Sequence, residues 1–311
     1  MVETTPQGSE QEVHPWFMQG YKSFVRLFPQ IASRIDFNPF YVCPECRRAF
    51  STAAIADGWI TGEHVPPESV GGKKMILTCR ECNSRAGSEM DADMRLEADL
   101  FEFAGRRLSS TKATLRTDAG KLPIRLSAQG DGVLMFGVPE ATHPNDRAGV
   151  EADLNRATLP DGWKGLQFHI EFQPFSVARA EASWLRSAYL AFFAALGYRF
   201  IFRPEIDAVQ LRLANPEKQD FRFRIVRPEP APEPLLTLIN TPVAFRSFAM
   251  VYGQHIVLLP FYGDGDLYTR LAAQPAGHVE LKAEGVFPWP NRPLFLHDEA
   301  AFSQPASEAG A

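Results

Sequence analysis

The chain has 311 residues, 45% of them hydrophobic, enough to bury a sizeable core and more than a single core usually serves. Its 32 basic and 37 acidic side chains give a formal net charge of −5, which excludes a uniformly cationic protein that coats nucleic acid indiscriminately. The start MVETTPQGSEQEV lacks the order of a secretory signal and no apolar run reaches the roughly 18 residues of a membrane span, so a cytoplasmic protein with no membrane partner is expected.

Residues 1–12 read as a disordered lead. Trp16, Phe17, Phe24, Leu27, Phe28 and Ile31 then recur at three- and four-residue spacings, which predicts an amphipathic helix packed on the segment after it. Segment 1–37 is thus an extension and a helix. Residues 38–107 form a first domain with all four cysteines, a Gly71-Gly72 turn and a proline-free, helix-forming stretch from about Asn83 to Arg106. Residues 108–302 read as a larger mixed α+β domain. Period-two alternation predicts half-buried strands at 113–117, 122–127, 132–138 and 166–172. A helix is expected over 178–196, with Trp184, Leu185, Ala188, Phe192 and Leu196 on one face and Gly197 closing it. Strands resume at 198–202, 221–226 and 255–261. The aromatics of 189–202 sit at core spacing, Pro228, Pro230, Pro232 and Pro234 mark an extended connector, and 303–311 read as a disordered tail.

Cys43, Cys46, Cys79 and Cys82 form two CxxC pairs separated by 32 residues. A two-residue gap lets both sulfurs of a pair reach one tetrahedral ion at about 2.3 Å, the pattern of structural zinc. Taken alone this is also the pattern of a zinc ribbon without catalysis. Between and just after the pairs lie Glu63-His64, Pro66-Pro67, Gly71-Gly72 and, directly after Cys82, Asn83. Adjacent strand residues point to opposite sides, so Glu63 and His64 are able to face a metal and a substrate separately. The blander alternatives are a surface pair on a hairpin for Glu63-His64, a helix cap for Asn83 and a solvated helix face for Asp91.

In order and register, this series resembles the zinc-bearing branch of the HNH endonucleases over about residues 40–107. The resemblance implies a zinc-stabilised ββα-metal domain with structural Zn²⁺ on the four cysteines. It implies His64 as general base and Glu63 as ligand of one catalytic Mg²⁺ or Mn²⁺. Asn83 would either orient His64 or join that ion. Asp91, eight residues on, stands where many relatives carry His or Asn and would complete the ligand set, its charge favouring Mg²⁺ or Mn²⁺ over Zn²⁺ or Ni²⁺. Glu63→Ala is then expected to spare the fold. The implied substrate is nucleic acid, DNA before RNA, and the larger domain would target or regulate, offering a surface to a protein partner or a second copy. The rivals are a non-catalytic zinc module that binds nucleic acid or protein, and a ribonuclease or toxin of the same fold. Lys73, Lys74, Arg80 and Arg85, and the second basic run Arg106, Arg107, Lys112, Arg116, Lys121 and Arg125, are candidates for phosphate contact. Arg222, Arg224 and Arg227, with His169 and Glu171, read as a polar sheet face.

Overall fold

A computed structural model describes residues 14–36, 38–105, 110–117, 120–129, 133–138, 147–149, 152, 169–218, 222–227, 229–274 and 280–296. The chain forms two compact units: Met1–Asp91 with Glu181–Ala311, and Ala92–Ala180. The expected boundary at 107/108 therefore does not coincide with the division found. The helix after the second cysteine pair is split at Asp91, and residues from 181 onward belong to the same unit as the cysteines. The expected lead and tail, 1–12 and 303–311, lie outside the described residues, as do Arg106 and Arg107. Among the described residues no helix is long and apolar enough to cross a membrane.

The first unit opens on helix Pro15–Leu27, with Pro15 in its first turn and the His14 ring accepting from Trp16 N at 3.2 Å. Phe17 and Phe24 are buried against Tyr41 and Phe40, as the spacing predicts. Gly20 lets the helix lie on that ring, since a Cβ there would stand 2.6 Å from Tyr41. Ile31 falls instead in a separate turn, Pro29–Ala32, and is exposed. The antiparallel pair β1 (Phe40–Val42) and β2 (Ala49–Ser51) comes next, then the hairpin β3 (Ile60–Val65) and β4 (Lys73–Cys79). Helix Arg80–Ala86 leaves β4 without a gap and passes into a π-helical turn, Gly87–Asp91.

In the second unit, helix Ala92–Ala104 precedes β5 (Ser110–Thr117), β6 (Gly120–Gln129), β7 (Val133–Gly137) and β8 (His169–Phe172), an antiparallel sheet ordered β7-β6-β5-β8. The alternation is as expected. Ala113, Leu115, Leu122, Ile124 and Leu126 turn inward onto Phe103 of the helix. Gly132 and residues 166–168 of the expected strands lie outside the described residues.

Helix Val177–Leu196 carries the chain back into the first unit, where every residue from 182 to 196 is buried. Gly197, at φ +68°, ends it, and a Cβ there would stand 2.9 Å from the Phe295 ring. The expected strand at 198–202 is a helical turn, Tyr198–Ile201. Five residues, four of them apolar, carry no period that separates the two forms, and the left-handed glycine restarts a helix. Strands β9 (Arg224–Val226), β10 (Leu235–Thr241), β11 (Ser247–Tyr252), β12 (His255–Pro260) and β13 (Lys282–Pro288) build a sheet ordered β13-β10-β11-β12-β9. Of these, β10, β11 and β13 are additions to the expected strands. β10 and β11 are mostly buried, so they show an apolar run in place of alternation.

Candidate functional site

The four sulfurs are brought together by the ends of short elements. β1 runs into Cys43-Pro44-Glu45-Cys46, where Arg47 N donates to Cys43 O and Cys43 N to Arg48 O, both at 2.9 Å, with Arg47 left-handed at φ +58°. β4 ends on Cys79, whose N–H donates to Cys43 Sγ at 3.4 Å, and Cys82 sits in the first turn of helix Arg80–Ala86. All four Sγ atoms lie within 4.8 Å of one another, and Cys46 and Cys79 are 3.7 Å apart. Sulfurs bound tetrahedrally at 2.3 Å would stand about 3.8 Å from each other, so the cluster fits a thiolate-bound metal, zinc by its donor chemistry. Hydrogen bonding from the Cys43 thiol, above all, pulls Cys79 down to about 6 and Cys46 well below its ordinary value. Arg48 adds a cation, its Nε 3.4 Å from Cys46 Sγ. Both effects favour the deprotonated form of Cys46 and Cys79, while hydrogen bonding within the cluster and burial push Cys43 and Cys82 up.

The first cysteine loop is clamped by residues far along the chain. Pro44 O accepts from Tyr189 Oη at 2.5 Å and from Gln210 Nε2 at 3.3 Å. Arg47 donates to Ile201 O at 2.8 Å and Asp207 Oδ1 at 3.0 Å. The carboxylate of Glu45, inside the CxxC loop, is held by both arms of Arg186 at 2.8 and 3.0 Å.

Arg186 also reaches the hairpin. Its Nη1 donates to Glu63 Oε1 at 2.9 Å, while Glu63 Oε2 accepts from Thr78 Oγ1 at 3.3 Å. Glu63 is 4% exposed and Arg186 2%, so this is a buried ion-pair triad. Burial raises the Glu63 pKa, Arg186 offsets part of the rise, and the charges of Glu45 and Asp91 add to it. Asp91 Oδ1 accepts from Ser183 Oγ at 2.6 Å, one helical turn before Arg186. One face of the long helix thus gathers Glu45, Glu63 and Asp91, three carboxylates against one guanidinium, an excess of two negative charges. The expectation that Glu63→Ala spares the fold stands against this burial, because the substitution leaves Arg186 Nη1 and Thr78 Oγ1 without their buried acceptor while Glu45 still holds the other arm of the guanidinium.

His64 behaves differently from its neighbour. Its side chain is 28% exposed, its Nε2 lies 3.8 Å from Glu68 Oε2, and exposed Lys74 faces it across the ladder. The register shifts between Glu63 and His64, leaving Met75 as the extra residue on β4, a bulge of the kind that re-aims side chains. Asn83 is not the helix cap, a position held by Cys79. It lies inside the helix, where its Nδ2 donates to Thr61 Oγ1 at 3.2 Å. Asp91 is reached through the π-helical turn rather than two α-helical turns, so that turn sets its direction. The structure therefore joins Glu63 and Asp91 through one helix, ties Asn83 to the strand of Glu63, and leaves His64 apart on the solvent side. Among the described residues the four cysteines are the only group of three or more His, Cys, Asp or Glu ligand atoms that close together.

The double glycine is explained at this hairpin. Gly71 has φ +89°, and a Cβ on Gly72 would fall 1.5 Å from the carbonyl oxygen of Pro66. Gly72→Ala must displace backbone, so denaturant unfolding should show a loss of about 2–4 kcal/mol, against about 1 kcal/mol for Gly71→Ala. Equal, small losses would refute this packing.

Compared with protein-family models, curated proteins and solved structures, the chain matches none. The chemistry of the site is therefore read from its own atoms. Two members, Glu45 and Arg186, are not among the residues that motif spacing singles out. The available signal is a lone arginine in the otherwise uncharged run 182–198, since a buried charge needs a partner.

Proposed function

We propose that the chain is an HNH-type phosphodiester hydrolase acting on nucleic acid, DNA before RNA. The observation that carries this reading is the pairing of a part-exposed His64 with a buried Glu63 on one strand, in a hairpin and helix joined at their base by the sulfur cluster. Zinc on Cys43, Cys46, Cys79 and Cys82 holds that scaffold. In the reaction, His64 takes a proton from the attacking water as its oxygen bonds to phosphorus, and the bond from phosphorus to the departing 3′ oxygen breaks, solvent supplying that oxygen's proton. Glu68 lies 3.8 Å from the His64 Nε2, and Lys74 meets the phosphate charge. Asn83 positions β3 through Thr61.

Oxygen donors suited to a hard divalent ion are present. A carboxylate has about four acceptor sites, Glu63 uses two, and the surplus negative charge around Arg186 calls for a cation. Glu63 and Asp91 would hold Mg²⁺ or Mn²⁺, which when bound stabilises charge on the phosphate.

Plasmid and oligonucleotide cleavage with Mg²⁺ or Mn²⁺ tests the proposal. His64→Ala should lower the rate by about 10²–10⁴-fold with zinc content unchanged. Undiminished cleavage would remove His64 from the chemistry. Engagement of Glu63 by Arg186 favours a second reading, a zinc module that binds without cutting, and a wild-type chain inert toward every DNA and RNA would select it.

A further inference from the structure

The outer face of the second unit's sheet carries a charge arrangement that stability alone does not favour. Lys112 lies directly opposite Arg125 in the β5–β6 ladder, and Arg116 opposite Lys121. All four are exposed, while the alternate residues are buried. Like charges directly across a ladder destabilise it. Glu171 relieves one pair, lying 2.9 Å from both Arg116 and Lys121. Among the described residues no acid pairs with Lys112 or Arg125, and Arg125 donates to Ser110 Oγ at 3.2 Å. Among the described residues, four cations against one carboxylate leave this face at +3, in a chain whose net charge is −5. The two cationic rows are four residues apart, about 13 Å along the strands.

Beside the uncompensated row, a cavity of about 530 Å³ opens between helix Ala92–Ala104 and the strand edge, with Lys112 and Arg125 among its walls. Phe172 lines it too and is 39% exposed, unusual for so large an apolar ring. Phe172 pairs in the ladder with Ala113, the neighbour of Lys112. Phe172 therefore lies on the inner side of the sheet, where its ring also meets that of Phe103, and the cavity at the strand edge is what brings it together with Lys112 and Arg125; its walls also carry the Arg95–Asp99 pair, and its volume falls in the range that takes a small organic group. Such a recess admits an unstacked base, whereas bases in a duplex stay in their stack.

We infer that this face and the cavity at its edge bind single-stranded nucleic acid, with phosphates on Lys112, Arg125, Arg116 and Lys121 across the outer face and one base turned around the strand edge into the cavity against Phe172. The inference rests on the reading of the chain as acting on nucleic acid and names the form of substrate.

The test is fluorescence anisotropy of labelled single-stranded DNA, the matching RNA and the duplex. Each probe is about twenty nucleotides, longer than the roughly 4–16 that a comparable site covers. They are titrated into the full zinc-loaded chain across a salt series without Mg²⁺. Lys112→Ala with Arg125→Ala should weaken single-strand binding about tenfold or more and reduce the salt slope by about 1.4. The same pair should melt no lower than wild type, because an opposed pair of cations is removed. Phe172→Leu should weaken single-strand binding about tenfold, leave the salt slope alone and leave duplex binding unchanged. Wild-type affinity and slope in the double variant would overturn the inference, even where His64→Ala abolishes cleavage. Equal loss on single strand and duplex, with Phe172→Leu silent, would overturn the single-strand assignment. Displacement by polyglutamate at matched charge as readily as by DNA would overturn nucleic acid as the occupant. Binding that meets these expectations in a chain that cuts nothing would keep the inference and sink the hydrolase.

Discussion

Serine in place of any one of Cys43, Cys46, Cys79 or Cys82 should abolish stoichiometric zinc binding and lower the melting temperature by about 10 °C or more. β1 and β2 are three residues each, and an isolated two-stranded hairpin is marginal in water. The first cysteine loop and the β4–helix junction meet at the four sulfurs, with the Arg48–Glu81 ion pair and the Tyr41 Oη bond to Leu77 O beside them. Structural zinc in small peptides is worth about 10–16 kcal/mol of apparent binding free energy near neutral pH. Even a third of that would shift the midpoint by roughly 10–20 °C in a unit of this size. Chelation of the wild-type chain should reproduce the effect and added zinc reverse it, followed by circular dichroism and metal content. A chain that melts unchanged after its metal is removed would refute the structural role of the cluster.

Arg186→Met should be nearly as damaging, by about 3–5 kcal/mol, because it leaves Glu45 and Glu63 buried without their cation. Glu63→Gln should be milder, about 1–3 kcal/mol, since an amide oxygen still accepts from Arg186. Replacing the triad together, Arg186→Met with Glu45→Gln and Glu63→Gln, should recover much of the loss. Burial raises the Glu63 pKa, so the folded chain holds that proton more tightly than the unfolded chain does. Its contribution to stability is greatest below the ordinary carboxylate value, falls as pH rises from there through the raised value, and is constant above. Glu63→Gln should remove this slope in denaturant unfolding across mildly acidic pH. A triple variant no more stable than Arg186→Met would show that the helix face, not the charge balance, is what the arginine supports.

The contrast between these residues explains what the sequence reveals. The cysteine pairs, the Glu63-His64 pair and Asn83 are legible because their meaning lies in local spacing. The strands around Leu115 in β5 and Ile124 in β6 are legible because one face is buried and the other wet. Arg186 is not: helical periodicity reports the apolar face, and nothing in spacing shows that a guanidinium 141 residues from Glu45 will close on it. β10 is hidden for a related reason, as a largely buried strand loses the alternation that marks it. The unit boundary at Asp91 is unreadable because helix-forming composition runs across it without a break.

The first unit is also discontinuous, interrupted from Ala92 to Ala180. During synthesis the cysteine loops leave the ribosome well before Arg186, Tyr189, Ile201 and Gln210 exist to grip them. A nascent chain can therefore capture its metal early, but it must wait for about a hundred further residues before that centre is locked, at roughly 5–20 residues per second. A fragment cut before residue 181 would carry every ligand and still lack the parts that hold them in place.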